Sequence, residues 1–241
     1  MRKIAAIIAV MVVTLTIANA GTIVQWHFTS DLLPGGANAY GPNLFKPRTV
    51  VDGITVRGLY RRPEIKTDHT IALGNAWGGV EFTASSWETA LGANQYFCFM
   101  LTADPGMSMS ITGFEMILRS TTTGPTEALW LASYNGFTSY FKVGDVFALE
   151  NGANAYSLDF ASANLTIEDI TQIEFRLVVW GGQPNGVFQF GNGARTAGAA
   201  AANNFTVLGT IGISAIPEPS TALLAMSGVA MLVYRRKRQA R

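Results

Sequence analysis

The stretch that decides the fold is "QIEFRLVVW", residues Gln172 to Trp180. Every second residue in it is apolar, the period of a β-strand with one buried face. These apolar positions are Ile173, Phe175, Leu177 and Val179. Glu174 and Arg176 point to the opposite face, until Val178 and Trp180 make that face apolar as well. We therefore predict a central strand whose outer side is half covered.

A second stretch, "MSMSITGFEMILRS" (Met107 to Ser120), alternates in the same way but changes phase in the middle. Its first apolar positions are Met107, Met109 and Ile111, and its later ones are Phe114, Met116 and Leu118. One extra residue near Thr112 and Gly113 restores the alternation, which is what a β-bulge supplies. We expect a bent strand, of the kind found in curved jelly-roll sheets.

The remaining strands are short and are separated by turns rich in Gly, Asn and Pro. No amphipathic helical run of twelve or more residues is present, and only Ala163 to Thr171 suggests a short helix or turn, with Thr166 as its cap. The predicted strands are Thr22 to Phe28, Thr49 to Arg57, Gln95 to Leu101, Met107 to Arg119, Ala128 to Tyr134, Asp145 to Leu149, Ala155 to Phe160, Gln172 to Trp180, Gly186 to Phe190 and Phe205 to Ile213. This pattern predicts an all-β, jelly-roll-like β-sandwich.

The first twenty residues have the three parts of a secretory signal peptide. Arg2 and Lys3 precede an apolar run, and the small residues Ala18 and Ala20 flank a cleavage site after position 20. A membrane helix that remains attached is the alternative, but the run is shorter than the roughly 20 residues of a stable span. We expect residues 1–20 to be removed on export, leaving an exported domain at 21–215.

The last 26 residues, "IPEPSTALLAMSGVAMLVYRRKRQAR", combine a proline motif, an apolar segment and a basic end. As a helix, Thr221 to Tyr234 would span about 21 Å, against a bilayer core of about 30 Å. Cationic side chains remain on the cytoplasmic side of a membrane, so the tail would stop translocation. The tail residues are Arg235, Arg236, Lys237 and Arg238. We expect a short membrane helix that holds the protein temporarily.

This C-terminal segment, 216–241, resembles the PEP-CTERM sorting signal of exported bacterial proteins. The motif positions match Pro217, Glu218 and Pro219, and the Arg-rich end matches Arg235 and Arg236. The resemblance implies cleavage near the motif by a membrane-embedded cysteine protease, an exosortase, and passage to the cell surface or extracellular matrix of a Gram-negative-type bacterium. It implies signal peptidase and exosortase as partners, with the inner membrane as a transient site. The alternative is a plain single-span anchor.

The exported domain has a looser resemblance to the jelly-roll ectodomains of PEP-CTERM proteins, through "YFCFML", "RSTTTGP" and "FRLVVW".

The charge of the exported domain limits the partners that it can bind. Ten Lys/Arg and fifteen Asp/Glu fall between the two terminal segments, which gives a net charge near −5. Nucleic-acid binding requires a basic face, so we expect no nucleic-acid partner.

Residues suited to chemistry are few and scattered. His27 and His69 are isolated, and Cys98 lies in an apolar stretch where a buried, inert thiol is expected. No catalytic, phosphate-binding or metal-binding motif is present, so we predict no enzyme activity, no cofactor and no metal site. Paired carboxylates of a glycosidase remain an alternative, with Glu115 and Glu174 on apolar strands as the acids considered.

Aromatic residues near Gly-rich loops favour a binding role instead. An exposed ring stacks on the apolar face of a sugar, and neighbouring amides bind its hydroxyls. The aromatics considered are Trp77, Trp87, Trp130, Tyr134, Tyr140 and Trp180. Tyr134 in "SYNGF" and Trp180 before "GGQPNG" are the predicted ligand-binding residues, with exopolysaccharide as the partner. We expect a structural or adhesive surface protein, with a carbohydrate-binding module and then a glycoside hydrolase as alternatives.

Overall fold

The computed structural model describes residues 21–28, 44–67, 76–191 and 204–214, and these form two facing sheets. The strands are β1 (Gly21–His27), β2 (Leu44–Phe45), β3 (Thr49–Val50), β4 (Ile54–Val56), β5 (Leu59–Arg61), β6 (Trp77–Val80), β7 (Tyr96–Ala103), β8 (Met107–Ser120), β9 (Glu127–Ser133), β10 (Phe141–Ala148), β11 (Gly152–Asp159), β12 (Ile167–Ile170), β13 (Gln172–Trp180), β14 (Val187–Phe190) and β15 (Asn204–Ile213). One helix, α1 (Trp87–Gly92), completes the described elements.

Sheet A has eight strands in the order β3-β1-β15-β8-β14-β6, with β11 and β12 on the other edge of β8. Sheet B has seven strands in the order β10-β9-β13-β7-β5-β2, with β4 also pairing with β7. The strand pairs between these elements are antiparallel, and the chain crosses repeatedly from one sheet to the other. The predicted all-β, jelly-roll-like sandwich is confirmed, while its signal-peptide and membrane helices lie outside the described residues.

The two stretches that predicted the fold take central positions. Strand β13 lies between β7 and β9 in sheet B, and its four alternating apolar side chains are fully buried between the sheets. Strand β8 runs the length of sheet A, and its pairing with β15 skips Thr112: Leu208 pairs with Gly113 and Gly209 pairs with Ile111. Thr112 is therefore the extra residue of the predicted bulge.

The core between the sheets is built mainly from aromatic rings. Phe114 from sheet A contacts Trp130 at 4.9 Å and Phe175 at 5.0 Å from sheet B, between ring centroids. Trp26 and Phe205 stack at 5.1 Å from neighbouring strands of sheet A. Full burial of each large apolar side chain contributes about 1.5–3 kcal/mol, so this cluster supplies much of the stability of the sandwich.

Several sequence-based boundaries are corrected by the structure. Residues Thr49 to Arg57 form two strands in different sheets, because the chain turns at Gly53, which has a φ of 90°. The expected helix or turn at Ala163 to Thr171 is a turn that ends near Asn164, followed by strand β12. Thr166 therefore caps no helix.

Besides β12, three short strands and one helix were not predicted. Strands β2, β5 and β6 are two to four residues long, too short to show a clear alternation. The six-residue α1 has Ser86 as its N-cap, whose Oγ accepts a 3.3 Å hydrogen bond from the Thr89 backbone N–H. In the described ranges, no helix has the length and hydrophobicity needed to cross a bilayer.

Candidate functional site

The outward face of sheet B carries an unusual number of aromatic and cationic side chains. On β13, Glu174 and Arg176 point outward, opposite the buried Phe175. Farther along, Val178 and Trp180 also point outward, but they pack with residues of β9 and α1 into a second apolar cluster. This confirms the prediction that the outer side of the central strand is half covered.

Helix α1 supplies the first aromatic side chain of the site. Ala90 is fully buried against the second cluster, and this anchors the helix across the sheet. Trp87, at the start of the helix, packs at the edge of that cluster and remains partly exposed. Its position at the N-terminal end of a short capped helix places it on the outward side of sheet B.

The loop between β9 and β10 supplies the next two rings. The buried Ser133 Oγ accepts hydrogen bonds from the backbone N–H groups of Phe137, at 2.8 Å, and Asn135, at 3.2 Å. Asn135 in turn accepts a 3.0 Å bond from the Ser139 backbone N–H. Phe137 adopts a φ of 65°, which turns the chain and directs its ring onto the sheet.

We call Trp87, Phe137 and Tyr140 the aromatic patch. The ring of Tyr140 stacks on that of Phe137 at 5.8 Å and meets the edge of Trp87 at 6.4 Å, between centroids. Tyr140 is 45% exposed, so one side of the patch faces solvent. Lys142 lies over the Trp87 ring at 5.0 Å, and Arg176 lies over the Phe137 ring at 3.6 Å.

Arg176 connects the aromatic patch to a neighbouring cleft of about 220 Å³. Its guanidinium also lies 4.5 Å from the Tyr96 ring centroid, and Arg62 lies over the same ring at 5.6 Å. We call this the arginine cleft; its charged and tyrosine side chains are Arg57, Tyr60, Arg62, Tyr96, Glu174 and Arg176. Glu174 Oε1 accepts a 2.9 Å bond from Arg176 Nε, so the two side chains form a salt bridge.

Cys98 forms part of the cleft lining, in an environment that favours its protonated form. Burial raises the pKa of its thiol to about 11, with a smaller contribution from the nearby Glu174 carboxylate. A thiol with this pKa is almost entirely protonated at neutral pH, and a nucleophilic cysteine must be a thiolate. The inert thiol predicted from the sequence is consistent with this environment.

The two residues predicted to bind a ligand have different environments. Tyr134 is 47% exposed, but its ring is tilted against that of Phe141, with centroids 5.3 Å apart, at the rim of the main core and away from the aromatic patch. Trp180 is only 4% exposed, and its Nε1 donates a 2.7 Å hydrogen bond to Glu127 Oε2. The expectation that Trp180 is exposed is wrong, since helix α1 covers it; the ring supports the patch from below.

The other predicted residues are dispersed. Trp77 and Trp130 are fully buried in the main core, where they cannot meet a ligand. His27 hydrogen-bonds Gln25 at 2.6 Å, and burial, followed by the charge of Arg48, lowers its pKa. Four further predictions fall outside the described residues. They are His69, the cleavage-site alanines Ala18 and Ala20, the motif Pro217 to Pro219 and the basic tail Arg235 to Arg238.

The two carboxylates considered as a glycosidase pair do not share a cleft. Glu115 lines a depression of about 530 Å³ on the outward face of sheet A, together with Gln25, Tyr156 and Thr206. Glu174 lies on the outward face of sheet B, so the whole sandwich separates the two acids. Glycosidase pairs are about 5–10 Å apart, whereas two stacked sheets alone are about 10 Å apart. Among the described residues, no three His, Cys, Asp or Glu side chains converge to hold a metal ion.

Sequence reasoning missed Phe137, Lys142, Arg57 and Arg62 as members of this face. Phe137 and Lys142 follow the predicted ligand-binding Tyr134 closely in the chain, so proximity to that loop was a usable signal. Arg57 and Arg62 come from a distant segment, and only the pairing of β4 and β5 with β7 brings them to the site. No pattern in the sequence predicts that pairing.

Comparisons with known proteins find structural likenesses only. No protein-family model and no curated protein matches the sequence. A CBM32 module from Clostridium perfringens, solved in complex with GalNAc-β-1,3-galactose, is 14% identical over 64% of this chain and 94% of its own, with a TM-score of 0.33. The C-terminal domain of a chitobiase from Bacteroides fragilis is 11% identical over 67% of this chain and 96% of its own, also with a TM-score of 0.33.

A third likeness is viral. The structure of the infectious bursal disease virus Gx strain is 14% identical over 83% of this chain and 54% of its own, with a TM-score of 0.27. All three TM-scores lie below 0.5, so these likenesses assign no function to this chain.

Proposed function

We propose that this protein is an exported surface or matrix protein whose β-sandwich binds polysaccharide through the aromatic patch. The observation that carries the proposal is the contiguity of Trp87, Tyr140 and Phe137, with Tyr140 45% exposed, on a face held in place by a capped helix and a hydrogen-bonded loop. Flat rings in a fixed arrangement stack on the apolar faces of sugars at little cost in conformational entropy.

Polar groups around the patch complement the rings. Asn135 and Ser139 lie in the same loop as Phe137, and Asn135 Nδ2 donates a 2.8 Å hydrogen bond to Ser139 Oγ. Both side chains are exposed and can bind sugar hydroxyls, as can the Lys142 ammonium beside Trp87. An adhesive role in an extracellular matrix follows directly from such binding, since the matrix consists largely of polysaccharide.

Delivery to that location is part of the proposal. It is supported by the signal-peptide pattern at 1–20 and by the PEP-CTERM-like segment at 216–241, with exosortase and signal peptidase as the processing partners. The intact mass of protein isolated from its native host tests it. We expect a mass lacking residues 1–20 and the basic tail; native protein that still ends at Arg241, embedded in the membrane, contradicts the sorting proposal.

Affinity electrophoresis tests the binding proposal. The full chain, expressed with its export signals and purified in mild detergent, is run through native gels containing different polysaccharides. Tyr140→Ala is expected to weaken retardation by about tenfold or more, equivalent to about 1.4 kcal/mol, because a sugar-stacking ring is lost. Trp87→Ala should weaken binding similarly.

Tyr134→Ala is the matched control, because Tyr134 has nearly the same exposure, 47%, but lies off the patch. We expect this variant to bind like the wild type. If Tyr134→Ala lost binding while Tyr140→Ala kept it, the binding site would lie at Tyr134, the residue predicted from the sequence, and not at the aromatic patch. Absence of retardation in every polysaccharide would contradict the proposed function.

A further inference from the structure

The cationic side chains on the outward face of sheet B are concentrated next to the aromatic patch. The segment 21–215 has ten Lys and Arg residues against fifteen Asp and Glu, yet four of the ten lie on this face. They are Arg57, Arg62 and Arg176 in the arginine cleft and Lys142 beside Trp87. Within a negatively charged domain, the cleft lining therefore holds three arginines against one glutamate, Glu174.

These cations and the aromatic rings form one continuous row. Each neighbouring pair in the row is separated by 6.4 Å or less, measured to or between ring centroids. In order, the row consists of Lys142, Trp87, Tyr140, Phe137, Arg176, Tyr96 and Arg62. A row of rings with a cation at each end and Arg176 between them offers a stacking surface and anion-binding groups to successive units of a chain-like ligand.

Two of the arginines keep hydrogen-bonding capacity for a ligand. Arg176 is engaged by Glu174, but within the described residues Arg57 forms no salt bridge. Arg62 approaches Glu64 only to 3.7 Å, and its Nε is buried without a hydrogen-bond partner in the described part of the chain. The Nε itself is inaccessible to a ligand, but the Arg62 side chain is 33% exposed, so its terminal N–H groups can donate to a carboxylate or sulfate oxygen in the cleft.

We infer that the site selects an acidic polysaccharide, whose anionic groups bind Arg57 and Arg62 in the arginine cleft while adjacent sugar rings stack on the aromatic patch. This inference rests on the proposed polysaccharide binding and specifies its ligand class. Planar guanidinium groups bind carboxylates and sulfates through paired hydrogen bonds, which gives directional selection as well as charge attraction. The pairing of Glu174 with Arg176 keeps the shared guanidinium oriented between the two parts of the site.

The test compares polygalacturonate with its carboxyl-reduced form, which has similar geometry and no charge. With the full-length detergent-purified protein at low salt, we expect at least about tenfold tighter binding to polygalacturonate. The double variant Arg57→Ala/Arg62→Ala should lose this preference and keep its binding to the reduced polymer. Arg48→Ala, an exposed arginine before β3 in sheet A, is the matched control and should retain the preference.

Two further arms identify the anion. Dextran sulfate bound as tightly as polygalacturonate supports selection of any anionic sugar, whereas weaker binding assigns the cleft to uronates. Arg57→Lys/Arg62→Lys keeps the charges and should recover only part of the preference, because an ammonium lacks the planar fork.

The failures are distinguishable. Equal binding of polygalacturonate and its reduced form by the wild type overturns this inference while the proposed polysaccharide binding stands. Absence of binding to every polymer overturns both. Single-stranded DNA bound as tightly as polygalacturonate also overturns the inference, since it would indicate unselective attraction of polyanions.

Discussion

The guanidinium of Arg176 lies 3.6 Å from the ring centroid of Phe137, and this contact joins the central strand of sheet B to the loop between β9 and β10. The same guanidinium is hydrogen-bonded to Glu174 at 2.9 Å and lies over Tyr96. A cation over an aromatic ring contributes about 0.5–2 kcal/mol, depending on its exposure. The aromatic patch is therefore fixed to the sheet and does not depend on the loop alone.

Replacing Ser133 by alanine should loosen the loop that carries Phe137 and Tyr140. Its buried hydroxyl accepts two backbone N–H bonds, so the variant leaves these donors without their partner and should lose about 1–3 kcal/mol of unfolding free energy. Urea unfolding measures the loss. The exposed Thr138→Ala, which removes one 3.2 Å bond in the same loop, should cost less than about 0.5 kcal/mol. Equal stability of the two variants would contradict the assigned role of Ser133.

The bulge region of β8 should not tolerate a side chain at Gly113. A Cβ at this position would lie 2.5 Å from the carbonyl oxygen of Leu158 on strand β11, so Gly113→Ala should destabilise the protein by about 1–3 kcal/mol. Gly212→Ala is the matched control, because a Cβ there meets no atom within 4 Å. Thermal unfolding compares the two. An unchanged melting temperature in Gly113→Ala would mean that β11 does not pair closely at the bulge.

His27 should make the stability decrease in mild acid. Burial, and then the charge of Arg48, lowers its pKa below the ordinary 6.5, so the unfolded chain binds its proton more readily than the folded one. The contribution is fully present above pH 6.5 and is lost as the pH falls through the lowered pKa. His27→Gln should remove this part of the pH dependence. The urea midpoints of the wild type and of His27→Gln, measured at pH 7.5 and pH 5, check this prediction. The same decrease in both proteins would show that His27 is not the source of the pH dependence.

Cys98 should react slowly while the protein is folded. With a pKa of about 11, against 9.0 for an ordinary thiol, its thiolate fraction near pH 8 is about a hundredfold smaller. Ellman's reagent should therefore label the native protein at least about a hundred times more slowly than the urea-unfolded chain, where the pKa is normal. Rapid stoichiometric labelling of the folded protein would show that the thiol is neither buried nor protonated.

Much of the fold could be predicted from local sequence patterns. The alternation in Gln172 to Trp180 predicted a central strand covered on both sides near its end, and the phase change near Thr112 predicted the bulge in β8. Prediction from alternation failed for the shortest strands, such as β2 and β5, because two or three residues are too few to show an alternating pattern. It also failed at Thr49 to Arg57, because Gly53 turns the chain from one sheet to the other within a stretch predicted as a single strand.

The candidate site was less predictable for a different reason. Trp180 and Tyr140 are both aromatic residues near loops, but one lies under α1 and the other faces solvent. The sequence carried a partial signal for α1, since Ser86 precedes a run of helix-forming residues, but a six-residue helix is too short for a periodic pattern. Whether an aromatic side chain is exposed depends on what packs above it, and that is a long-range property.

By itself, the sequence determined the faces of the strands and the bulge, because both are encoded in neighbouring residues; the export and sorting signals at the two ends stay predictions. Only the tertiary structure decided that Arg57, Arg62 and Arg176 converge beside the aromatic patch and that Glu115 and Glu174 are kept apart. The order in which strands pair sets those distances. Residues that are far apart in the chain become neighbours through hydrogen bonds between strands, and the alternation within each strand carries no information about its partner.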